Sequence, residues 1–181
     1  MLFKSIGNRV GSVSFVFFIA VLLIYPVLQR KIQIGLWHLW NGSTIQFQEY
    51  DVPIPMGWVA NKSEVGTIAI LEMGTHRWRD ELVSSINIRS SGSKDMSFLS
   101  ALHEQWLRSE GAQIFDRRTI DLDGEKADCI VSNALVHKLP IPNDKIISIN
   151  CESTAGLSIN FNGDQENIDT VFSIVSQIQK H

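Results

Sequence analysis

QIFDRRTIDLDGEKADCIVSNAL, residues 113–135, decides the fold. Asp123-Gly124 stands between QIFDRRTIDL and KADCIVSNAL. Both turn positions tolerate φ > 0, so this dipeptide is a strong hairpin signal. Further along, KIISINCES (145–153) and GLSINFN (156–162) read as two more strands. Ala127, Cys129, Val131 and Leu135 share one parity, as do Ile147, Ile149 and Cys151. Alternate side chains of a strand point to opposite faces, so each Cys goes with its strand's apolar set. Between these strands lies HKLPIPNDK, a turn with two prolines. Folding about Pro140 brings Cys129 opposite Cys151. A cross-strand disulfide is then feasible in an oxidising compartment. Two small buried hydrophobes are the other reading.

On the N-terminal side, TIQFQEYDVPIP (44–55) reads as one strand ending at Pro53 and Pro55. MGW turns the chain. TIAILEM (67–73) is a second strand, HRWRDE (76–81) a polar aromatic loop, and LVSSINIRS (82–90) a third strand. A helix follows from about 95 to 109. Ser93 or Asp95 caps it, Gly111 stops it, and Phe98, Leu99, Leu102 and Trp106 form its apolar stripe. In GLSINFN, Leu157, Ile159 and Phe161 face in, and Ser158, Asn160 and Asn162 face out. A last helix from about Asp164 carries Ile168, Val171, Phe172, Val175 and Ile178 on one stripe. The predicted order is βββ-α-ββββ-α. This is an α+β fold: a largely antiparallel sheet of about seven strands with two helices packed on it, an α/β/α-type sandwich.

Before the domain, residues 10–28 (VGSVSFVFFIAVLLIYPVL) hold no charge, with Lys4 and Arg9 before them and Arg30 and Lys31 after. A helix of that length reaches roughly the thickness of a bilayer's hydrocarbon core. The stretch is longer than a signal-peptide h-region, and no small-residue cleavage site follows it. The expected organisation is a short tail (1–9), one transmembrane signal anchor (10–29), a juxtamembrane connector (30–43) and one α+β domain (44–181). Trp37 and Trp40 in the connector suit a membrane interface or the entrance to the fold. Setting aside Lys4, Arg9, Arg30 and Lys31 leaves 12 of the 16 Lys and Arg against 19 Asp and Glu, a net charge of −7. That acidity argues against a nucleic-acid partner and against docking on anionic lipid. With the short leading tail, it favours an exported domain on a single-pass protein of the cytoplasmic membrane, lipid-bound through residues 10–29.

The element order, with YDVPIPMGW (50–58), SINIRSS (85–91), DLDGEKAD (121–128) and IDTVFSIVSQI (168–178), resembles the PsbP-like superfamily over roughly residues 44–180. That superfamily includes extrinsic photosystem II subunits, a Ran-binding nuclear import factor and bacterial DcrB-type envelope proteins. Pro55 and Gly57 bend the chain in the first phrase, and Trp58 drops back as an apolar plug. The resemblance implies the fold and a binding or assembly role, not catalysis. It transfers no ligand or catalytic residue.

The residues themselves name no reaction. HExxH, GxSxG, GxxxxGK[ST] and GxGxxG are absent from the sequence. His76, His103 and His137 are far apart, and both cysteines belong to apolar strand faces. Two cysteines do not by themselves make a structural zinc site. Asp116, Asp121, Asp123, Glu125 and Asp128 crowd one hairpin but are interleaved with Arg117, Arg118 and Lys126. They read as a solvated hairpin with surface ion pairs, not a Ca²⁺ loop. No cofactor or metal is expected. His76, Arg77, Trp78 and Arg79 combine residue types enriched at binding hot spots and form the expected partner site. HKLPIPNDK is a second, weaker one. The expected function is a non-catalytic envelope assembly or maintenance factor that binds a protein in or at the membrane. The alternatives are a membrane-anchored hydrolase or a small-ligand carrier whose site is not visible in the sequence.

Overall fold

The computed structural model describes residues 25, 28–63, 66–73, 84–91, 95–133 and 146–181. Residues 28–41 are helical (α1). After them come β1 (Thr44–Phe47), β2 (Tyr50–Pro53), β3 (Trp58–Ser63), β4 (Thr67–Glu72), β5 (Ser85–Ser90), α2 (Met96–Ser109), β6 (Ile114–Leu122), β7 (Glu125–Asn133), β8 (Ile146–Ser153), β9 (Leu157–Asp164), α3 (Ile168–Ser176) and β10 (Gln179–Lys180).

The main sheet has seven strands in the order β3-β4-β5-β9-β8-β7-β6, all antiparallel. The α+β class and the seven-stranded sheet are as the sequence predicts. At Asp123 and Gly124 φ is 53° and 83°, as the β6–β7 turn requires. Three elements differ from the sequence reading. The stretch 44–55 is not one strand: a turn with Gln48 at φ 54° folds it into the β1–β2 pair. With β10, which the sequence reading lacks, this pair makes a separate three-stranded sheet. Trp58, taken there as the end of a turn, instead opens the edge strand β3, WVANKS, which the sequence reading lacks.

One face of the main sheet carries the large core. Ile68, Ile70, Ile86, Ile88, Ala127, Cys129, Val131, Ile147, Ile149, Cys151, Leu157, Ile159 and Phe161 meet Val171, Ile174, Val175 and Ile178 of the C-terminal helix region. Phe47, Tyr50, Val52 and Ile54 of the small sheet belong to the same cluster. Trp58 is buried there too, as its plug reading expects. Cys129 lies directly opposite Cys151, and the two are bonded, with S–S 2.04 Å.

The helix α2 packs on β7 and β8 from the other face. Asp95 caps it, accepting from the Phe98 N–H at 3.0 Å, and Gly111 follows its end at φ 79°. Its seat is not the predicted stripe. Ser100 and Leu107 are its buried residues, while Phe98, Leu102 and Trp106 remain 61%, 52% and 49% exposed. Of the predicted stripe only Leu99 is half-buried, and the other three face solvent. The sheet surface there is mostly polar: Asp128, Ile130 and Ser132 on β7, Ser148, Asn150 and Glu152 on β8, Ser158, Asn160 and Asn162 on β9. Ser158, expected to face out, is buried there. A polar surface accepts the helix face built on Ser100 and His103, so the apolar stripe turns outward.

The connector 30–43 is mostly helix. Trp37 packs against the core, as the entrance to the fold requires, and Trp40 is 79% exposed. No described helix is long and apolar enough to cross a membrane. The proposed anchor lies almost wholly outside the described residues.

Candidate functional site

The two sides of α2 make the most unusual surfaces in the described part of the chain. Beneath the helix, Ser100 Oγ donates to Asp128 Oδ2 at 2.8 Å. Ser158 Oγ donates to Glu152 Oε1 at 2.9 Å. Asn150 and Asn160 donate to Ser148 and Ser158 at 3.1 and 3.3 Å. Among the described residues, three buried side-chain atoms have no hydrogen-bond partner: His103 Nε2, Ser132 Oγ and Glu152 Oε2. Register puts Ser132 and Glu152 on the α2 side of the sheet. Burial pushes the His103 imidazole below its ordinary value, and the charge of Arg89 adds to this. Burial pushes the Glu152 carboxyl up, opposed by the Ser158 hydrogen bond and by Arg89. An imidazole kept neutral and a carboxyl that resists ionising are features of sites that handle protons or polar ligands.

Outside, Phe98, Leu102 and Trp106 recur at i, i+4 and i+8 and form one solvent-facing stripe. The helix beneath them is braced at its flank. Glu104 accepts from Arg108 Nε at 2.9 Å and also pairs with Arg117 of β6. These partners, Arg108 first, hold the Glu104 carboxyl below its usual range. The ring of Trp106 lies 5.5 Å from that of His103, joining the two sides.

A separate pocket of about 310 Å³ opens on the opposite face, lined by Phe115, Asp116, Arg118, Val131, Ile147, Gln165 and Ile168. Arg118 Nε donates to Asp116 at 2.7 Å, and its guanidinium lies 4.6 Å from the Phe172 ring centre. Asp116 and Arg118 of this pocket are thus paired with each other.

His76, Arg77, Trp78 and Arg79 lie outside the described residues, as does 137–145. The flanks of the first segment are held. The Glu72 N–H donates to the Ser84 carbonyl at 2.9 Å. Asn167 Nδ2 donates to Glu72 Oε2 at 2.7 Å and to Ser84 Oγ at 2.9 Å. A Cβ on Gly163 would stand 2.6 Å from Ser84 Cα, so glycine is needed for this approach. Among the described residues no group of three or more His, Cys, Asp or Glu is placed to hold a metal ion. The sequence reading missed Arg89 and Glu152. Their signal was available in the polar parity of SINIRS, ISINCES and LSINFN, which marks a sheet face unlike the apolar one.

No family model and no curated protein matches the chain. Among solved structures it is similar to the solution structure of cyanobacterial PsbP (CyanoP) from Synechocystis sp. PCC 6803. Identity is 15%, the TM-score is 0.44, and the match covers 74% of this chain and 87% of that one. The likeness is at the level of overall fold, and no residue role is taken from it.

Proposed function

We propose that this chain is a non-catalytic binding or assembly factor, anchored by residues 10–29 with its domain on the extracytoplasmic side of the cytoplasmic membrane. It acts on a protein complex of the envelope. Kinship with DcrB-type envelope proteins belongs to the same reading. The observation that carries it is the outward stripe Phe98, Leu102 and Trp106. A domain that can build an apolar core on one sheet face leaves these side chains in water on the other. Each is about half exposed, so covering it removes from water only about half the area that is worth about 1.5–3 kcal/mol on full burial. A Cys129–Cys151 bond suits an oxidising compartment. The segment with His76, Arg77, Trp78 and Arg79 remains the second contact proposed for the partner.

The test is a photo-crosslinking residue at Leu102 of the full chain in intact cells, compared with one at Lys126. A discrete protein adduct from Leu102, absent from Lys126 and lost on Phe98→Ser with Trp106→Ser, is expected. No adduct from Leu102, or the same adducts from both positions, would overturn the docking surface.

A second reading rests on the orphaned His103, Ser132 and Glu152 atoms: a small polar ligand or hydrolase site under α2. His103→Gln with Glu152→Gln would abolish such an activity, whereas the binding reading predicts unchanged partner capture.

A further inference from the structure

The α2 face of the sheet is only partly covered by its helix. α2 packs on β7 and β8, and burial on this face falls away from it. Ser148, Asn150 and Ser158 are buried, Asn160, Asn87 and Ala69 are half-buried, and Asn61 on the edge strand β3 is exposed. Register lines these side chains up in rows across the strands. The middle row runs Asn150, Asn160, Asn87, Ala69 and Asn61, from β8 through β9, β5 and β4 to β3. Directly opposed residues share a face, with their Cβ atoms about 5 Å apart. This row is the middle of the sheet, and each of its members stands three or more residues from any segment outside the described residues. Asn160 gives one N–H to Ser158 at 3.3 Å. That leaves its second N–H and its carbonyl oxygen for a ligand.

The helix forms a wall along one side of this floor. Ser100 and Leu107 point into the sheet. Glu104 pairs with Arg117, so that flank of the helix faces β6. With about 3.6 residues per turn, the opposite flank carries Leu99, His103 and Trp106. His103 feels the charge of Arg89 on β5, as this placement over β9 and β5 requires. The Trp106 ring lies 5.5 Å from that of His103 and is about half exposed. From β9 to β3 the open floor crosses four strands, about 14 Å at the usual strand spacing.

Neutral amides and hydroxyls beside an indole match a sugar. Each hydroxyl of a pyranose both donates and accepts, as a carboxamide does. The C–H face of the ring is apolar and suits the indole. The floor is long enough for about three rings laid flat. Other ligand classes fit less well. An extended peptide adds to a strand edge, not to a sheet face. Phosphate backbones need clustered cations, and on this face of β3, β4, β5 and β9 Arg89 is the one cation among the described residues. We infer that the step between α2 and the open half of the sheet binds a flat, uncharged oligosaccharide, with its hydroxyls on Asn61, Asn87 and Asn160 and a ring against Trp106. The site requires neither the anchor nor a protein docked on Phe98 and Leu102.

The experiment uses the full chain in phosphatidylcholine nanodiscs, free of sugar-headed detergent. Saturation transfer by NMR is followed from the protein to chitotriose and to cellotriose, with glycerol as the control. The expected result is transfer to at least one of the two trisaccharides and none to glycerol. Asn87→Ala with Asn160→Ala should weaken the binding at least about ten-fold. Ala69→Arg, which raises a long side chain from the middle of the floor, should abolish it. Phe98→Ser, on the outer side of the helix, should leave it unchanged. Transfer to neither sugar, or equal transfer to glycerol, would overturn the site. So would sugar binding that survives both floor variants. Loss on Phe98→Ser with both floor variants inert would place the sugar on the outer stripe and contradict the inference.

Discussion

The two faces of the seven-stranded sheet are made from the same strands but solve different problems. On the α3 face, alternate residues of β4, β5, β8 and β9 are mostly apolar, and two layers converge on it. On the α2 face the alternate residues are mostly Ser, Asn, Glu and Arg, and one helix covers part of it. The first face holds the fold together. The second has little apolar burial of its own, with Leu107 and Ile130 as the buried aliphatics outside the main cluster. A helix seated this way presents its most apolar side outward. The difference teaches that the amphipathicity of a helix reports a buried face only when something apolar lies opposite.

The contrast can be broken in order of expected effect. Phe161 is fully buried at the centre of the α3 face, so Phe161→Ala should cost about 3–5 kcal/mol by chemical denaturation. A cost below that of any α2-face substitution would reverse the ranking. Removing the disulfide with Cys129→Ala and Cys151→Ala frees two residues 22 apart in sequence. It should lower stability by about 2–4 kcal/mol, read as a fall in melting temperature. Leu107→Ala should cost about 2 kcal/mol, the low end for a core leucine, because the thin layer around it can collapse. Hydrogen exchange in α2 should quicken more than exchange in β9. Equal quickening would mean that the two faces unfold as one unit.

The pH response belongs to the α2 face. His103 titrates lower in the folded chain than its ordinary 6.5. Its stabilising contribution is full above pH 6.5 and is lost as pH falls from there through the folded value, because the unfolded chain takes up the proton first. Glu152 acts the other way. Its folded pKa lies above 4.5, so keeping it ionised costs stability at neutral pH, and that cost disappears as pH falls through the folded value. Between pH 7 and 5.5, His103→Gln should therefore lose less stability than the unaltered chain in urea titrations. A larger loss in the variant would contradict the burial of His103. The smallest effect is expected outside: Phe98→Ser with Leu102→Ser should change stability by less than about 0.5 kcal/mol.

Much of the apolar face was legible in the sequence. Parity placed Cys129 and Cys151 with their strands' apolar sets, Asp-Gly marked the hairpin, and the α3 stripe needed only its 3.6-residue period. The strands β1 and β2 were not separable, because Gln48 bends the chain without glycine or proline. The orientation of α2 was missed for a different reason. Its stripe was read correctly as a pattern, but the sheet parity opposite, Ser148-Asn150-Glu152 and Ser158-Asn160-Asn162, offers no apolar bed. The sequence holds that information in two distant places, and only the register joins them. The expected partner residues His76, Arg77, Trp78 and Arg79 lie outside the described residues, and the described structure adds the anchoring of their flanks by Asn167 and Gly163.

The central claim is that α2 turns its apolar stripe outward. It is tested most directly by the rate of maleimide labelling of single cysteines at Leu102 and at Leu107 in the purified full chain. The account predicts rapid labelling of Leu102→Cys and slow labelling of Leu107→Cys, with the rates converging in denaturant. Fast labelling at 107 with protection at 102 would show the helix seated on its stripe and contradict both the orientation and the docking surface built on it.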